Sequence, residues 1–273
     1  MMADVAPIGI VVAMRSELQH LLDRVAPVRE AREGPWLDRF VMAGDVLLVA
    51  LCSGIGMVNA AAGTEHLIGR YAPRAILNFG CVGAHRRDIL PGDVIIADGA
   101  VNHGAMHIRA DGETFFPGLE YQFAGEEVAL TELTTDPALR ELTIAAAEGW
   151  TPDPWPAGIN LPPEIELRPP RTHVGRIGSA DIWTQHHARI DELHARHNTL
   201  GEDMEAAAIA HVCARHKVPF MAVKDVSNNE FHAVSDLADQ SEVLPAAEVG
   251  RRSAELILRT IERIGAEPAA IGR

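Results

Sequence analysis

Lysine is nearly missing from this chain: Lys217 and Lys224 are the only two, beside many arginines, a bias of the kind genomic base composition produces. Cysteine is scarce as well. Cys52, Cys81 and Cys213 cannot all pair, and they sit in separate apolar segments with no CxxC spacing. That pattern excludes a disulfide scaffold and suits a reducing compartment. Long apolar runs are missing too, since none approaches the roughly 20 residues a membrane helix needs. The run Ile8–Met14, behind the acidic Asp4, is too short for a signal sequence with its cleavage site. Clustered positive charge is absent: the net charge of −14 speaks against nucleic acid or an anionic membrane as partner. These gaps leave a soluble, cytoplasmic protein as the expectation.

What is present is apolar residue, 47% of 273 and spread along the whole chain, which argues against disorder. Short apolar runs alternate with helical patterns. Ile8–Ala13, Val46–Cys52, Ala75–Phe79, Val94–Ala97, His173–Gly178 and Phe220–Val226 read as strands. Helical spacing marks Glu17–Arg24, Ala60–Arg70, Pro137–Glu148, Ala206–His216 and Ala246–Ile264. Such alternation predicts an α/β three-layer sandwich: a mixed, largely parallel central sheet flanked by helices. Residues 102–125 lack periodicity. The proline-dense stretch at 151–170 reads as a surface excursion from one domain spanning 1–273, because the pattern is the same on both sides of it.

Ligands of open α/β sheets bind beyond the carboxyl ends of the strands. Glycine-rich turns stand there at Ser53–Gly56 and Gly80–Gly83. Neither makes a dinucleotide fingerprint, since Asn59 occupies the third glycine position and no acid ends the next strand. Acidic groups cluster at the same ends: Glu17 after the first strand, Asp203 and Glu205 before a helix, and the run from Asp225 to Glu230. Each could be a first-turn acid, a cap or a turn residue taken alone. Together they mark the place where an α/β enzyme assembles its site. His103 and His107 lie in an irregular segment. His186, His187, His194 and His197 suit an exposed helix, so neither a metal nor an organic cofactor is expected.

Six segments, read together, resemble the methylthioadenosine/adenosylhomocysteine nucleosidases of the purine nucleoside phosphorylase and uridine phosphorylase superfamily. They are Ile8–Glu17, Ser53–Ala61, Asn78–Gly83, Gly92–Val94, Glu202–Val212 and Val218–Val223. The resemblance covers about residues 8–105 and 173–265. It implies Glu17 as the acid that activates the attacking water and Asn228 at the position of the family's catalytic aspartate. It implies Met14, Cys81, Ile182, Trp183, Met204, Glu205 and Ser227 as substrate contacts, with Glu205 accepting from the ribose hydroxyls and Ile182 and Trp183 packing the base. A small-molecule nucleoside substrate and a homodimer follow from the same likeness.

Two departures matter. A carboxamide at Asn228 cannot give a proton, though it can donate an N–H to the purine, which moves expectation from adenine toward a 6-oxopurine. Asp225 and Glu230 stand near enough in sequence to supply an acid instead, with Asn229 as a further amide beside them. Asn78 stands where related phosphorylases carry a phosphate-binding arginine, leaving Arg15, Arg86 and Arg87 as anion contacts; losing that arginine while keeping Glu17 favours water as nucleophile. The expected activity is therefore hydrolysis of a purine-type nucleoside or 5′-thionucleoside. Phosphorolysis is the alternative, and a non-catalytic nucleoside-binding homologue a third reading. The 5′ substituent, which segments 102–125 and 229–245 would meet, stays open.

Overall fold

Five consecutive apolar residues, Ile8–Val12 (β1), are all buried, as a strand covered on both faces requires. The computed structural model describes residues 6–115, 119–130, 133–156, 168–232 and 248–271. After β1 come α1 (Arg15–Leu22), a hairpin of β2 (Ala26–Glu33) and β3 (Trp36–Ala43), and β4 (Val46–Cys52). Helix α2 (Met57–Tyr71) leads to β5 (Ala75–Ala84) and β6 (Val94–Asn102). Short strands follow: β7 (His107–Ile108) with β8 (Thr114–Phe115), β9 (Leu119–Phe123) with β10 (Glu126–Leu130), and β11 (Leu133–Thr134). The remainder is α3 (Pro137–Ala147), β12 (Thr172–Ser179), α4 (His187–His197), β13 (Thr199–Asp203), α5 (Ala206–His216), β14 (Phe220–Asn228) and α6 (Arg251–Ala266).

One sheet of ten strands organises these elements. Strands β4, β1, β5 and β14 run parallel, and so do β6, β12 and β13. The two groups join through antiparallel seams, β5 with β13 and β14 with β6. Strands β5, β14, β6, β12 and β13 thereby close on themselves as a small barrel, while β1, β4, β3 and β2 extend from β5 as an open sheet. Side chains alternate along β1 as strand geometry demands. Val11 packs with Leu67 of α2 and Ile209 of α5 on one face. Ile8, Ile10 and Val12 pack with Leu18 of α1, Leu139 of α3 and Ile257 of α6 on the other. The result is helix, mixed sheet, helix. No helix among the described residues is long and apolar enough to cross a membrane.

Several sequence expectations need correction. Gly80–Gly83 is not a turn but the second half of β5, held by β14 along its length and by β13 at its end. Asp225–Asn228 likewise continues β14 as strand. Pairing on both sides overrides the local glycine and polar signals there. Residues 102–125 contain the small hairpins β7–β8 and part of β9–β10, too short to show a period. The β2–β3 hairpin and β13 carried no clear signal. Residues 157–167 of the proline-dense stretch, 233–245 of the segment expected near the 5′ substituent, and the start of the last helix pattern at 246–247 lie outside the described residues.

Candidate active site

A cavity of about 180 Å³ opens where β1, β5, β12, β13 and β14 end, the position open α/β sheets use for ligands. All nine site residues expected from the sequence line it: Met14, Glu17, Cys81, Ile182, Trp183, Met204, Glu205, Ser227 and Asn228. The wall also carries Glu202, Asp203 and Glu230. It therefore holds five carboxylates, and no arginine or lysine among its described lining residues. Arg15, Arg86 and Arg87 do not reach it; Arg86 and Arg87 pair on the surface with Asp88 and Asp191. Asn78 is buried behind the wall, donating to the Val11 carbonyl at 2.9 Å.

Glu17 sits in the first turn of α1 and is 2% exposed. Its Oε2 accepts from the Met14 N–H at 3.2 Å, so it does cap its helix, but its Oε1 reaches across to accept from the Cys81 N–H at 2.9 Å. Two glycines make room for it. A Cβ on Gly80 (φ +150°) would stand 2.7 Å from Glu17 Oε1, and one on Gly250 (φ +85°) 2.7 Å from its Cγ. Burial pushes the Glu17 pKa up to about 7, against the pull of Lys224 and the Cys81 N–H and with help from Asp225 and Glu205. A carboxylate poised near neutrality suits a general base. Burial, then Glu17 and Asp225, hold the Cys81 thiol well above its ordinary value, so it stays uncharged.

Asp203 and Glu205 divide the capping and binding roles left open by the sequence. Asp203 is the anchor: it accepts from the Ala206 N–H at 3.1 Å and from Ser179 Oγ at 2.5 Å, and it pairs with Lys224 Nζ at 2.8 Å. Glu205 makes no cap bond and turns instead to accept from the Gly56 N–H at 2.9 Å. Its pKa is raised, first by burial and then by Asp203. Lys224, 2% exposed, is the buried cation that offsets this group. Burial works against its charge, but Asp203, Glu205 and Glu17 together push its pKa up. Sequence reasoning missed its part, although one of two lysines standing inside an apolar strand was a signal.

At the other end of the wall, Ser227 Oγ donates to Asn228 Oδ1 at 2.8 Å. Asn228 Nδ2 donates to Glu230 Oε1 at 2.8 Å, and Trp183 Nε1 donates to the same oxygen at 3.2 Å. A carboxylate only accepts and an indole only donates, so the direction of every bond in this chain is fixed. Of the three acids or amides named as substitutes for the family aspartate, only Glu230 lines the cavity. Asn229 is spent on the Arg86 and Ile89 carbonyls, and Asp225 faces Gly250, Ser253 and Arg252 behind the wall. Among the described residues no cluster of three or more His, Cys, Asp or Glu is arranged to hold a metal ion.

The profile of the phosphorylase superfamily matches residues 7–262. The chain belongs to that superfamily. Within it the chain is like the methylthioadenosine/adenosylhomocysteine nucleosidases. The 5′-methylthioadenosine/S-adenosylhomocysteine nucleosidase of Treponema pallidum is 31% identical over 258 residues, 89% of this chain and 91% of that one. The enzyme of the same name from Bacillus subtilis is 31% identical over 222 residues, 80% of this chain and 81% of its own. A crystal structure of S-adenosylhomocysteine nucleosidase from Streptococcus pyogenes, in complex with 5-methylthiotubericidin, shares the fold with a TM-score of 0.74 at 24% identity. That match covers 97% of this chain and 99% of that one.

Proposed function

We propose that the chain is a nucleosidase that hydrolyses the N-glycosidic bond of a purine-type nucleoside or 5′-thionucleoside, one like methylthioadenosine and adenosylhomocysteine or a 6-oxopurine analogue of them, releasing free base and sugar. The observation that carries this reading is the wall of five carboxylates with no arginine or lysine among its described lining residues. Breaking a ribosyl C–N bond leaves positive charge on the sugar, which such a wall stabilises. The same wall repels a phosphate dianion, which phosphorolysis would have to seat beside Glu17 and Glu205.

Glu17 accepts a proton from water as the oxygen attacks C1′, and the C1′–N9 electron pair leaves with the base. Glu205 accepts from the ribose hydroxyls, and Met14, Met204 and Cys81 enclose the sugar. Ile182 and Trp183 pack the base, with Ser227 orienting Asn228. Asn228 gives an N–H bond to N7, where charge gathers on the departing purine, and its amide moves base preference toward 6-oxopurines. Neither a metal nor an organic cofactor enters these steps.

A cytoplasmic homodimer belongs to the same reading. Ile55, Ile182 and Trp183 at the cavity and Val58 beside it are 44–77% exposed, an apolar rim that a second copy would cover. The deciding experiment measures base release from adenosine, inosine, methylthioadenosine, adenosylhomocysteine and futalosine, each with and without phosphate. Release that needs no phosphate supports the reading. Strict dependence on phosphate overturns it.

A further inference from the structure

Asn228 lines the cavity, and an amide serves a departing purine in only one of its two orientations. Its Nδ2 can give an N–H to N7. Its Oδ1, turned the same way, would meet the N7 lone pair and be repelled, whichever purine is bound. A half-turn of one bond separates the two, so hydrogen-bond neighbours decide which is adopted.

Ser227 does not decide it. Its Oγ donates to Asn228 Oδ1 at 2.8 Å and lies 3.4 Å from the Val82 carbonyl. With the amide turned over, the same hydroxyl would donate to Val82 and accept from Nδ2, because a hydroxyl does both.

Glu230 does decide it. Its Oε1 accepts from Asn228 Nδ2 at 2.8 Å and from Trp183 Nε1 at 3.2 Å. An indole nitrogen only donates, so this oxygen is held as an acceptor from its other side. A turned amide would set Oδ1 against the carboxylate. In the orientation Glu230 imposes, one Nδ2–H is spent on Oε1 and the second has no partner among the described residues. That second N–H is the one left for the base.

The turn that carries Glu230 is itself tied down. Glu230 is 7% exposed, and its backbone carbonyl accepts from His187 Nε2 at 2.9 Å. On one side of it Asn229 Nδ2 donates to the Arg86 and Ile89 carbonyls. On the other, the Arg87 guanidinium lies over the Phe231 ring at 3.8 Å. Glu230 therefore gives the amide a fixed reference.

We infer that Glu230 is a positioning residue for the reaction: it sets Asn228 with an N–H toward N7 and holds Trp183 beside the base. The inference deepens the nucleosidase reading and rests on it. The bond to N7 strengthens as charge gathers there, so its loss lowers kcat, whereas a loosened Trp183 raises KM.

Glu230→Leu removes the acceptor, and Glu230→Gln keeps an acceptor oxygen. On the best substrate of the base-release screen, kcat should fall about tenfold in Glu230→Leu and stay within about threefold of wild type in Glu230→Gln. Because Glu230 acts through Asn228, Glu230→Leu should lower kcat no further when Asn228 is already alanine. Wild-type kcat in Glu230→Leu, an equal loss in both backgrounds, or a glutamine variant as slow as the leucine one overturns the inference. If the leucine variant does not fold, Glu230→Asp, whose shorter side chain withdraws the oxygen, is read against the same outcomes. If the wild type cleaves nothing, the nucleosidase reading fails by itself, and calorimetry decides the orientation of the amide separately. Adenosine or inosine, whichever binds more tightly, is then compared with its 7-deaza analogue, which lacks the N7 acceptor. A preference for N7 of about threefold or more that Glu230→Asp abolishes supports the inference. Absence of binding, equal binding by the wild type, or a preference that the variant keeps overturns it.

Discussion

At the Glu17 end of the cavity, carboxylates are buried with few partners and their pKa values rise. At the Glu202 end, a less deeply buried carboxylate is held below its ordinary value by the nearby His103 ring and by the Thr184 N–H and hydroxyl. Both belong to one wall, a few strand positions apart. The difference follows from depth of burial and from the neighbouring charges: like-charged Asp225, Glu205 and Asp203 stand at the first end, His103 and Thr184 at the second. A deeply buried acid among like charges gains basicity, and an acid beside donors stays ionised. Each end can be disturbed separately.

The largest disturbance is at the one cation shared by the reactive end. Lys224→Met leaves Asp203, Glu205 and Glu17 without their buried counter-charge, and removing one partner of such a set costs about 3–5 kcal/mol. Urea denaturation should show that loss; an unchanged midpoint would mean the three acids do not depend on Lys224.

Glu17→Gln should act in two directions. As a lost general base it should lower kcat by roughly 10²-fold or more. As a lost buried charge it should raise stability. The folded pKa of about 7 lies above the ordinary 4.5. The folded state therefore keeps a proton that the unfolded chain loses, and the contribution of Glu17 to stability falls as pH rises from 4.5 through 7. The gain in unfolding free energy of the glutamine variant over wild type, read by urea denaturation, should be small at pH 5 and larger at pH 8, by about 1–3 kcal/mol. An equal gain at both pH values would place Glu17 in a far more polar setting.

The order of the elements was legible because apolar runs such as Ile8–Val12 and Val46–Cys52 are buried on both faces and flanked by helical periods. The nine cavity residues were legible through resemblance, segment by segment, and Glu17 also through its place at a strand end. Pairing partners were not. Nothing local tells that Gly80–Gly83 is strand, since β13 and β14 impose it from distant parts of the chain. For the same reason the approach of His85 to Glu202, at 3.8 Å, went unremarked: it depends on an antiparallel seam between strands far apart in sequence. Lys224 was hidden only by being read as part of an apolar run.

A smaller effect sharpens the recognition end. Asn228→Asp replaces an amide that only donates or accepts with a group that can carry a proton, and the base preference should move toward 6-aminopurines by at least tenfold, about 1.4 kcal/mol. Competition between inosine and adenosine in one reaction reads this directly. Efficient cleavage of adenine nucleosides by the wild type would show that the amide does not set the base.

The central claim is that a desolvated Glu17, basic near neutrality, activates water at the sugar. Its most direct test is the pH dependence of kcat/KM between pH 5 and 9, measured without phosphate on the best substrate of the base-release screen. Glu17 must be ionised to accept a proton, so activity should climb with pH and level off above about 7. That rising limb should vanish in Glu17→Gln. A limb centred at the ordinary glutamate value, or one that persists unchanged in the glutamine variant, would contradict the account.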